Sequence, residues 1–188
     1  MPAADRSALS HADLARRIAE ACLLRGHFTL RSGRTSSYYL DKYLFSTRPE
    51  LLGPVADLLA ERIERLVGEL GPVQRLAGAE LGGIPLVTAA SLKTGLPCVF
   101  VRNQKKDYGT AKLYEGRLEP GDRLIFVEDV STTGGQAVEA VAGLREAGAQ
   151  PIAVITAIDR EEGAQANVEA AGVRFEALLT KTDLGVGE

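Results

Sequence analysis

Cysteine and histidine are scarce in this chain. Among its 188 residues only Cys22 and Cys98 are cysteines, and they form no Cys-x-x-Cys pair and lie among apolar residues. His11 and His27 are the only histidines, and neither has the spacing of a metal ligand. We therefore expect reduced cysteines in the core and histidines on the surface or in loops, without a redox or metal centre built from them.

Long apolar runs and excess positive charge are also missing. No run approaches the roughly 20 apolar residues that span a bilayer, and the first residues, with Asp5 and Arg6, lack the apolar core of a signal peptide. A net charge of -3 argues against broad binding to nucleic acids or membrane surfaces. The composition is that of a globular protein, so we expect one cytoplasmic domain, residues 1–188, that binds anionic substrates locally.

Two common phosphate-binding motifs, the Walker loop and Gly-x-Gly-x-x-Gly, are absent as well. In their place, a short apolar run at residues 124–127 leads into Glu128 and Asp129, a hydroxyl- and glycine-rich segment at 130–136, and an amphipathic segment from about Ala137. This order predicts a buried strand, a loop and a helix. The small side chains let several backbone N–H groups converge on an anion at the helix start, and paired acids beside a phosphate suit the hydroxyls of a sugar.

This stretch closely resembles the 5-phosphoribosyl 1-diphosphate (PRPP) signature of type I phosphoribosyltransferases. The resemblance implies that Glu128 and Asp129 contact the ribose hydroxyls, directly or through water and Mg²⁺, with the metal bound mainly through PRPP. It implies that Thr132, Thr133, Gly134, Gly135 and Gln136 hold the 5-phosphate and that Val130 and Ser131 also bind PRPP. Residue chemistry alone also allows an ordinary strand-turn-helix corner, although few such corners carry paired acids followed by Thr-Thr-Gly-Gly.

The segments before the signature predict helices and a parallel sheet. A capping box at Ser10 starts a helix that reaches about Leu24, and a second box at Thr47 starts a long helix. Residues 75–101 read as strand, helix, strand, which is a parallel crossover. Its glycine-rich turn at residues 80–83 could approach the pyrophosphate of PRPP, and a tight turn needed only for packing is equally consistent with those residues.

Near the N-terminus, Phe28 begins an extended segment, a polar turn follows, and Tyr38 and Tyr39 resume strand-like sequence, which predicts a hairpin. The segment is similar to the one that covers the active site in orotate phosphoribosyltransferases. The resemblance implies that Arg31 lies near the pyrophosphate or orotate and that both tyrosines lie by the base. We therefore assign residues 1–45 to an N-terminal helix and hood.

Residues 102–116 are polar and basic and lack clear periodicity. A charged run of this kind is often only a solvated surface, whereas a loop of this length inside a compact domain is often functional. It is similar to the Arg-x-x-x-Lys-x-x-Gly loop of orotate phosphoribosyltransferases. The resemblance implies a mobile catalytic loop in which Arg102 and Lys106 contact the pyrophosphate, and Lys106 is the main catalytic group with Asp107 beside it.

Two residues in this loop depart from the family pattern. Asn103 stands where a second basic residue often follows the arginine, and Tyr108, which we expect to contact PRPP, stands where histidine is frequent. Lys105 is nearby and could supply the positive charge that Asn103 lacks. The departures bear on the details of pyrophosphate binding more than on the reaction.

An Asp159-Arg160 pair follows the predicted strand at residues 152–158. From the residues alone, a surface ion pair is about as plausible as a binding site. In orotate phosphoribosyltransferases an Asp-Arg at this point supplies the arginine for the orotate carboxylate, which implies that role for Arg160, with Thr132 helping to orient orotate. A planar guanidinium suits a carboxylate because it can donate two parallel hydrogen bonds.

The resemblance covers almost the whole chain, and its motifs occur in the family's order. It implies an α/β fold of the type I phosphoribosyltransferase kind: a parallel sheet of four or five strands, helices on both faces and a small N-terminal hood. It also implies Mg²⁺-dependent transfer of phosphoribosyl from PRPP to orotate by a homodimer whose mobile loops reach the partner's site. Two alternatives stay open: a phosphoribosyltransferase for another base, and a PRPP-sensing regulator, for which the sequence offers neither a DNA-binding helix pair nor a basic stripe.

Overall fold

The computed structural model describes residues 10–29, 35–103 and 113–187. Helix α1 (His11–Cys22) begins at Ser10, whose hydroxyl oxygen accepts a hydrogen bond from the Asp13 N–H at 3.1 Å. This contact confirms the predicted N-terminal cap of the first helix. The helix ends at Cys22, slightly earlier than predicted, because Leu23 already belongs to a strand.

A small antiparallel hairpin follows, as predicted. It pairs β1 (Leu23–Thr29) with β2 (Thr35–Leu40), and we call this pair the hood. A one-turn helix, α2 (Tyr43–Ser46), connects the hood to the long helix α3 (Pro49–Leu70). Helix α3 buries one apolar stripe against the domain, as its helical spacing of apolar residues predicts.

The second predicted capping box is wrong. The residue that caps α3 is Arg48, with no side-chain hydrogen bond, and Pro49 occupies the first turn. The Thr47 hydroxyl instead donates a 2.7 Å hydrogen bond to the carbonyl of Tyr43. Thr47 is therefore used to end α2, a helix too short to produce a periodic signal in the sequence.

Six strands form the central sheet, in the spatial order β5-β4-β3-β6-β7-β8. They are β3 (Arg75–Ala79), β4 (Cys98–Val101), β5 (Tyr114–Glu115), β6 (Arg123–Ser131), β7 (Gln150–Asp159) and β8 (Arg174–Thr180). Five of the strands are parallel, and the two-residue β5 pairs antiparallel to β4 at the edge. The predicted parallel sheet of four or five strands is confirmed, and the short antiparallel edge strand is an addition to it.

Helices cover both faces of the sheet, as predicted. The connecting helices are α4 (Gly83–Thr94), α5 (Gly135–Glu146) and α6 (Ala164–Ala170). Helices α1, α3 and α4 share one apolar core with Ile125 and Val127 of β6, and α5 and α6 share another with Leu124 and Phe126. Alternate residues of β6 thus supply both cores, as expected of a strand buried on both faces.

The topology locates the expected binding region. From β3 the chain crosses to β4 on one side, whereas from β6 it proceeds to β7 and β8 on the other. In open parallel sheets, ligands bind in the crevice at the carboxyl ends of the strands where the direction of winding changes. Here that point lies between the end of β3 and the end of β6.

The two cysteines are unpaired. Cys22 has no exposed surface, and burial raises the pKa of its thiol to about 11. Such a thiol is poorly reactive, in agreement with its predicted place in the core. Within the described ranges, no helix is both long enough and apolar enough to cross a membrane.

Candidate active site

Residues 130–136 comprise the end of β6, the short loop after it and the start of α5, and they line a cavity of about 130 Å³ together with Glu128 and Ala137. We call these residues the phosphate loop and this space the loop cavity. Helix α5 starts after Gly134 without a side-chain cap, so its first backbone N–H groups can bind an anion. The sequence prediction of strand, loop and helix is confirmed here.

Helix α6 holds the phosphate loop in place. The amide nitrogen Nδ2 of Asn167 donates a 2.8 Å hydrogen bond to the Thr133 carbonyl. Gly134 has a φ of 74°, and a Cβ added to it would lie 3.1 Å from the Ala164 carbonyl oxygen. Glycine is therefore required at this position by both the backbone conformation and the neighbouring helix.

The two adjacent acids of β6 point to opposite faces of the sheet. Glu128 lines the loop cavity, whereas Asp129 packs beside the turn that follows β3. A Cβ added to Gly82 in that turn would lie 1.6 Å from Oδ2 of Asp129. The glycine-rich turn after β3 thus gives room to an acid of the sugar-binding signature.

Each oxygen of Asp129 is used within the protein. Its Oδ1 accepts a 2.7 Å hydrogen bond from the Val130 N–H, and Oδ2 lies 2.8 Å from Nζ of Lys42, just beyond the hood. Burial acts to lower the pKa of Lys42, but the hydrogen bond to Asp129 and its negative charge outweigh burial, so the pKa lies above its ordinary value. Lys42 thus stays a cation that ties the hood to the end of β6.

Glu128 is buried and has fewer partners within the protein than Asp129. Its Oε1 accepts a 3.3 Å hydrogen bond from the Asp129 N–H, and its Oε2 has no hydrogen-bond partner among the described residues. Burial, followed by the negative charge of Asp129, raises the pKa of Glu128 from 4.5 to about 8. In the free protein this carboxyl group is thus largely protonated at neutral pH and can donate a hydrogen bond to a ligand.

The raised pKa predicts a pH-dependent stability. Since the folded protein binds this proton more tightly than the unfolded chain, the stability that Glu128 contributes is complete below about pH 4.5 and is lost as pH rises through about 8. Glu128→Gln should therefore raise Tm at pH 8.5 by several degrees, at about 2–4 °C per kcal/mol, and the difference should close towards pH 4.5.

Thermal unfolding of wild type and variant between pH 4.5 and 8.5 measures this effect. Glu139→Gln, which changes an exposed carboxylate on α5, is the matched control and should follow wild type across the range. A Glu128→Gln variant less stable than wild type at pH 8.5 would contradict the burial of a protonated Glu128.

A second, larger cavity of about 260 Å³ lies between the hood and the sheet, and we call it the hood cavity. It is lined by Tyr38, Tyr39, Leu40, Lys42, Val130, Thr132, Gln136 and Arg160. All four described residues for which the sequence predicted a role in orotate binding are among them. The structure brings these residues together, while their individual roles stay predictions.

Arg160 is the main charged group of the hood cavity. Its Nη2 donates a 3.1 Å hydrogen bond to the Tyr38 hydroxyl, and its guanidinium carbon lies 5.4 Å from the centre of the Tyr38 ring. The same Nη2 lies 3.1 Å from Oε1 of Glu162. On the other side of the hood, the rings of Tyr39 and Phe28 are 5.7 Å apart. An anionic planar molecule would find both charge and aromatic surface here.

Arg102 and Asn103 form the described base of the predicted catalytic loop. Arg102 lies 3.5 Å from the Glu115 carboxylate and lines neither cavity. The Asn103 N–H donates to Glu80 at 2.8 Å, and the Asn103 side-chain oxygen accepts from Gln136 at 3.0 Å. Asn103, which departs from the family pattern, thus bridges the turn after β3 and the phosphate loop.

Four predicted site residues lie outside the described ranges: Arg31, Lys106, Asp107 and Tyr108. In the described part of the chain, no group of three or more acidic, histidine or cysteine side chains could hold a metal. Glu128 and Asp129 alone do not form a protein cage. Because they point to opposite faces of the sheet, either one of them fits beside a Mg²⁺ ion that takes most of its ligands from a bound diphosphate and water.

Sequence reasoning missed three residues of the site. Lys42 pairs with Asp129, Glu162 pairs with Arg160, and Asn167 supports the phosphate loop. None of the three belongs to a motif that predicts its role, and each acts through a partner that is distant in sequence or lies on another element. Only the position of Lys42, shortly after the Tyr38-Tyr39 strand, indicated that one of the three could lie near the site.

No family model matches the sequence. The chain is 42% identical over 167 residues to the orotate phosphoribosyltransferase of Pyrococcus horikoshii, covering 89% of this chain and 88% of that one. It is 46% identical over 159 residues to the orotate phosphoribosyltransferase of Methanosarcina mazei, covering 85% and 82%.

Solved structures agree with these relatives. Orotate phosphoribosyltransferase of Mycobacterium tuberculosis H37Rv in complex with PRPP aligns with a TM-score of 0.76 and 31% identity, over 94% of this chain and 99% of that one. The orotate phosphoribosyltransferase of Aeropyrum pernix aligns with a TM-score of 0.75 and 30% identity, over 92% and 97%. This chain belongs to the orotate phosphoribosyltransferase family, and its fold is the type I phosphoribosyltransferase fold.

Proposed function

We propose that this protein transfers the 5-phosphoribosyl group of PRPP to orotate and releases diphosphate, forming orotidine 5-phosphate in pyrimidine (UMP) biosynthesis. The observation that carries the proposal is the hood cavity, which joins Arg160 and Tyr38 to Thr132 and Gln136 of the phosphate loop. A cation for a carboxylate and a cradle for a phosphate thus face one space.

In this proposal, PRPP binds along the carboxyl end of β6 and the amino end of α5. The 5-phosphate occupies the loop cavity, where the uncapped N-terminus of α5 attracts negative charge. Glu128, in the wall of that cavity, contacts the ribose hydroxyls, whereas Asp129 acts from the opposite face of β6 with Lys42 as its counter-ion. The turn after β3, with Gly82 against Asp129, faces the diphosphate.

Orotate binds in the hood cavity. Its carboxylate pairs with Arg160, which can donate two parallel hydrogen bonds. Its ring lies against the tyrosines of β2, and the Thr132 hydroxyl helps to orient it. The nitrogen of the bound base is thereby directed towards the anomeric carbon of the sugar, and such positioning lowers the barrier of a bimolecular step.

Cleavage of the bond to diphosphate leaves positive charge on the sugar, as in glycoside hydrolysis, and negative charge on the leaving group. We propose that Arg102 and Lys106 stabilise the leaving diphosphate, with Asp107 and Tyr108 beside Lys106. Closure of residues 102–116 over the site would exclude water and prevent hydrolysis of PRPP. We also propose that the protein is a homodimer in which each of these loops reaches the partner's site.

Mg²⁺ bound through PRPP, with Glu128 and Asp129 nearby, would neutralise charge on the diphosphate. Either acid could accept a hydrogen bond from a metal-bound water or contact the ribose directly. The cytoplasmic location stays a prediction.

Loss of orotate absorbance in the presence of enzyme, Mg²⁺ and PRPP tests the function. We expect PRPP-dependent loss with orotate and none with adenine, hypoxanthine, xanthine or uracil. Turnover of another base would identify a different phosphoribosyltransferase. PRPP binding without turnover of any base would favour a regulatory role and refute the enzyme.

Lys106→Ala should lower kcat by about 30-fold, the effect of losing one charge-assisted hydrogen bond to the leaving group, while KM for orotate changes little. Steady-state rates with orotate varied at saturating PRPP measure both constants. Lys93→Ala removes a lysine that pairs with Asp57 between α3 and α4, away from the site, and serves as the control. Unchanged turnover in Lys106→Ala would remove Lys106 from the mechanism.

A further inference from the structure

The guanidinium of Arg160 is already engaged by the protein. Its Nη2 donates to the Tyr38 hydroxyl and pairs with the Glu162 carboxylate, each at 3.1 Å. The side chains of Arg160 and Glu162 are 19% and 25% exposed, so water competes only weakly with this ion pair. Glu162 lies in the turn between β7 and α6, directly beside the hood cavity.

The shared nitrogen matters for carboxylate recognition. A guanidinium binds a carboxylate with two parallel hydrogen bonds either through Nε and Nη2 or through Nη1 and Nη2, so both arrangements use Nη2. Nη2 carries two hydrogens. The Tyr38 hydroxyl accepts one of them, and Oε1 of Glu162 lies 3.1 Å from the same nitrogen as an ion-pair partner. Nε of Arg160 is buried and has no partner among the described residues. A carboxylate that binds with two hydrogen bonds therefore approaches the nitrogen that Tyr38 and Glu162 already contact, and we expect it to displace one of them.

Glu162 is the group that such a ligand can replace at the lower cost. It has the same chemistry as the incoming carboxylate, so the charge on Arg160 stays neutralised throughout the exchange. Tyr38 also stacks against the guanidinium and lines the cavity, so displacing it would remove part of the ring's binding surface.

We propose that Glu162 is an internal competitor that occupies Arg160 until the carboxylate of a planar heteroaromatic substrate replaces it. The inference rests on the proposed function, because it takes orotate as the incoming carboxylate. With Glu162 in place, Arg160 does not present an unpaired charge to other anions. A base without a carboxylate cannot make the exchange and gains nothing from Arg160. Glu162 thereby contributes to substrate selection at the expense of some affinity.

The competitor can be distinguished from a residue that merely positions Arg160, because the two roles predict opposite changes. If Glu162 competes, Glu162→Gln should lower KM for orotate by about 3- to 10-fold, the range for loss of a partly buried ion pair, and leave KM for PRPP within twofold. If Glu162 only positions Arg160, the same variant should raise KM for orotate. Glutamine has nearly the same shape, so the fold should be retained.

Glu161→Gln is the matched control. It removes the same charge from the neighbouring residue, whose carboxylate accepts a 2.7 Å hydrogen bond from the Thr182 hydroxyl instead of pairing with Arg160. KM for orotate should stay at the wild-type value in this variant. Glu162→Asp keeps the charge and should fall between wild type and Glu162→Gln.

Uracil, which lacks the carboxylate, completes the test as an inhibitor of orotate turnover. Uracil should inhibit orotate turnover equally in wild type and in Glu162→Gln. Absence of inhibition in both proteins is also an equal response. Two results would overturn the competitor role while leaving the proposed function intact. One is an unchanged or raised KM for orotate in Glu162→Gln, and the other is inhibition by uracil that tightens in the variant as much as KM for orotate falls. Failure of wild type to consume orotate would instead overturn the proposed function.

Discussion

Replacing Gly82 with alanine should lower kcat/KM for PRPP by at least 100-fold. The added Cβ would lie 1.6 Å from Oδ2 and 2.5 Å from Cγ of the buried Asp129, so this acid must move and its pair with Lys42 must be broken or rebuilt. Misplacement of a binding group by about 1 Å can cost about 100-fold in rate. Overpacking should also cost about 1–3 kcal/mol of stability.

Steady-state kinetics with PRPP varied, together with thermal unfolding, measures both effects. Gly68→Ala is the matched control, because Gly68 lies in α3, is not followed by proline, and has no atom outside its own stretch of helix within 4 Å of an added Cβ. That variant should keep full activity and gain up to about 1 kcal/mol of stability.

A double variant isolates the cause. If the clash with Asp129 is responsible, adding Asp129→Ala to Gly82→Ala should recover part of the lost stability but not the activity. Full activity in Gly82→Ala would show that Asp129 can move freely, and it would remove Asp129 from the binding of the sugar.

Arg160→Lys should lower kcat/KM for orotate by at least 100-fold, although it keeps the positive charge. Lysine cannot donate two parallel hydrogen bonds from a planar group, and its shorter reach loses the contact with the Tyr38 ring. Loss of one partner in a buried charged pair costs about 2–5 kcal/mol, or about 30- to 5,000-fold, and a 100-fold loss lies within this range. KM for PRPP should stay within about threefold, because Arg160 lines the hood cavity and not the loop cavity.

Rates with orotate varied at saturating PRPP measure this change. Arg145→Lys is the control, because Arg145 donates to the Ala171 carbonyl between α5 and α6, away from the hood cavity. An Arg160→Lys variant with wild-type KM and kcat for orotate would show that the carboxylate is bound elsewhere.

The central part of the fold could be predicted because its signals are local. Strand β6 is an apolar run that ends in two acids, and its loop must be small and glycine-rich for the backbone to reach a phosphate. Arg160 could also be located in advance, because the strand before it is continuous and apolar. The types of these residues follow from their places in a buried strand, in a tight turn or at a strand end, and these places predict the ligand contacts that we propose.

The partners of these residues could not be predicted in the same way. Lys42 meets Asp129, and Glu162 meets Arg160, only once the hood and the turn after β7 lie beside the sheet. The sequence around Lys42 and Glu162 does not specify these two contacts. The capping box predicted at Thr47 was wrong because Ser and Thr occur equally well before a helix and at the end of one. Strand β5 has two residues, which is too few for an alternating pattern to appear.

The ion pair between Lys42 and Asp129 joins distant parts of the chain, as does the contact between Tyr38 and Arg160. Contacts of this kind form only after the long stretch of chain between them has closed. A chain in which only the sheet or only the hood has formed therefore lacks the hood cavity. The substrates that we propose to bind there would stabilise the completed fold alone, by about 2.7 kcal/mol at 100 times their Kd. During refolding they would protect the finished protein and none of its precursors.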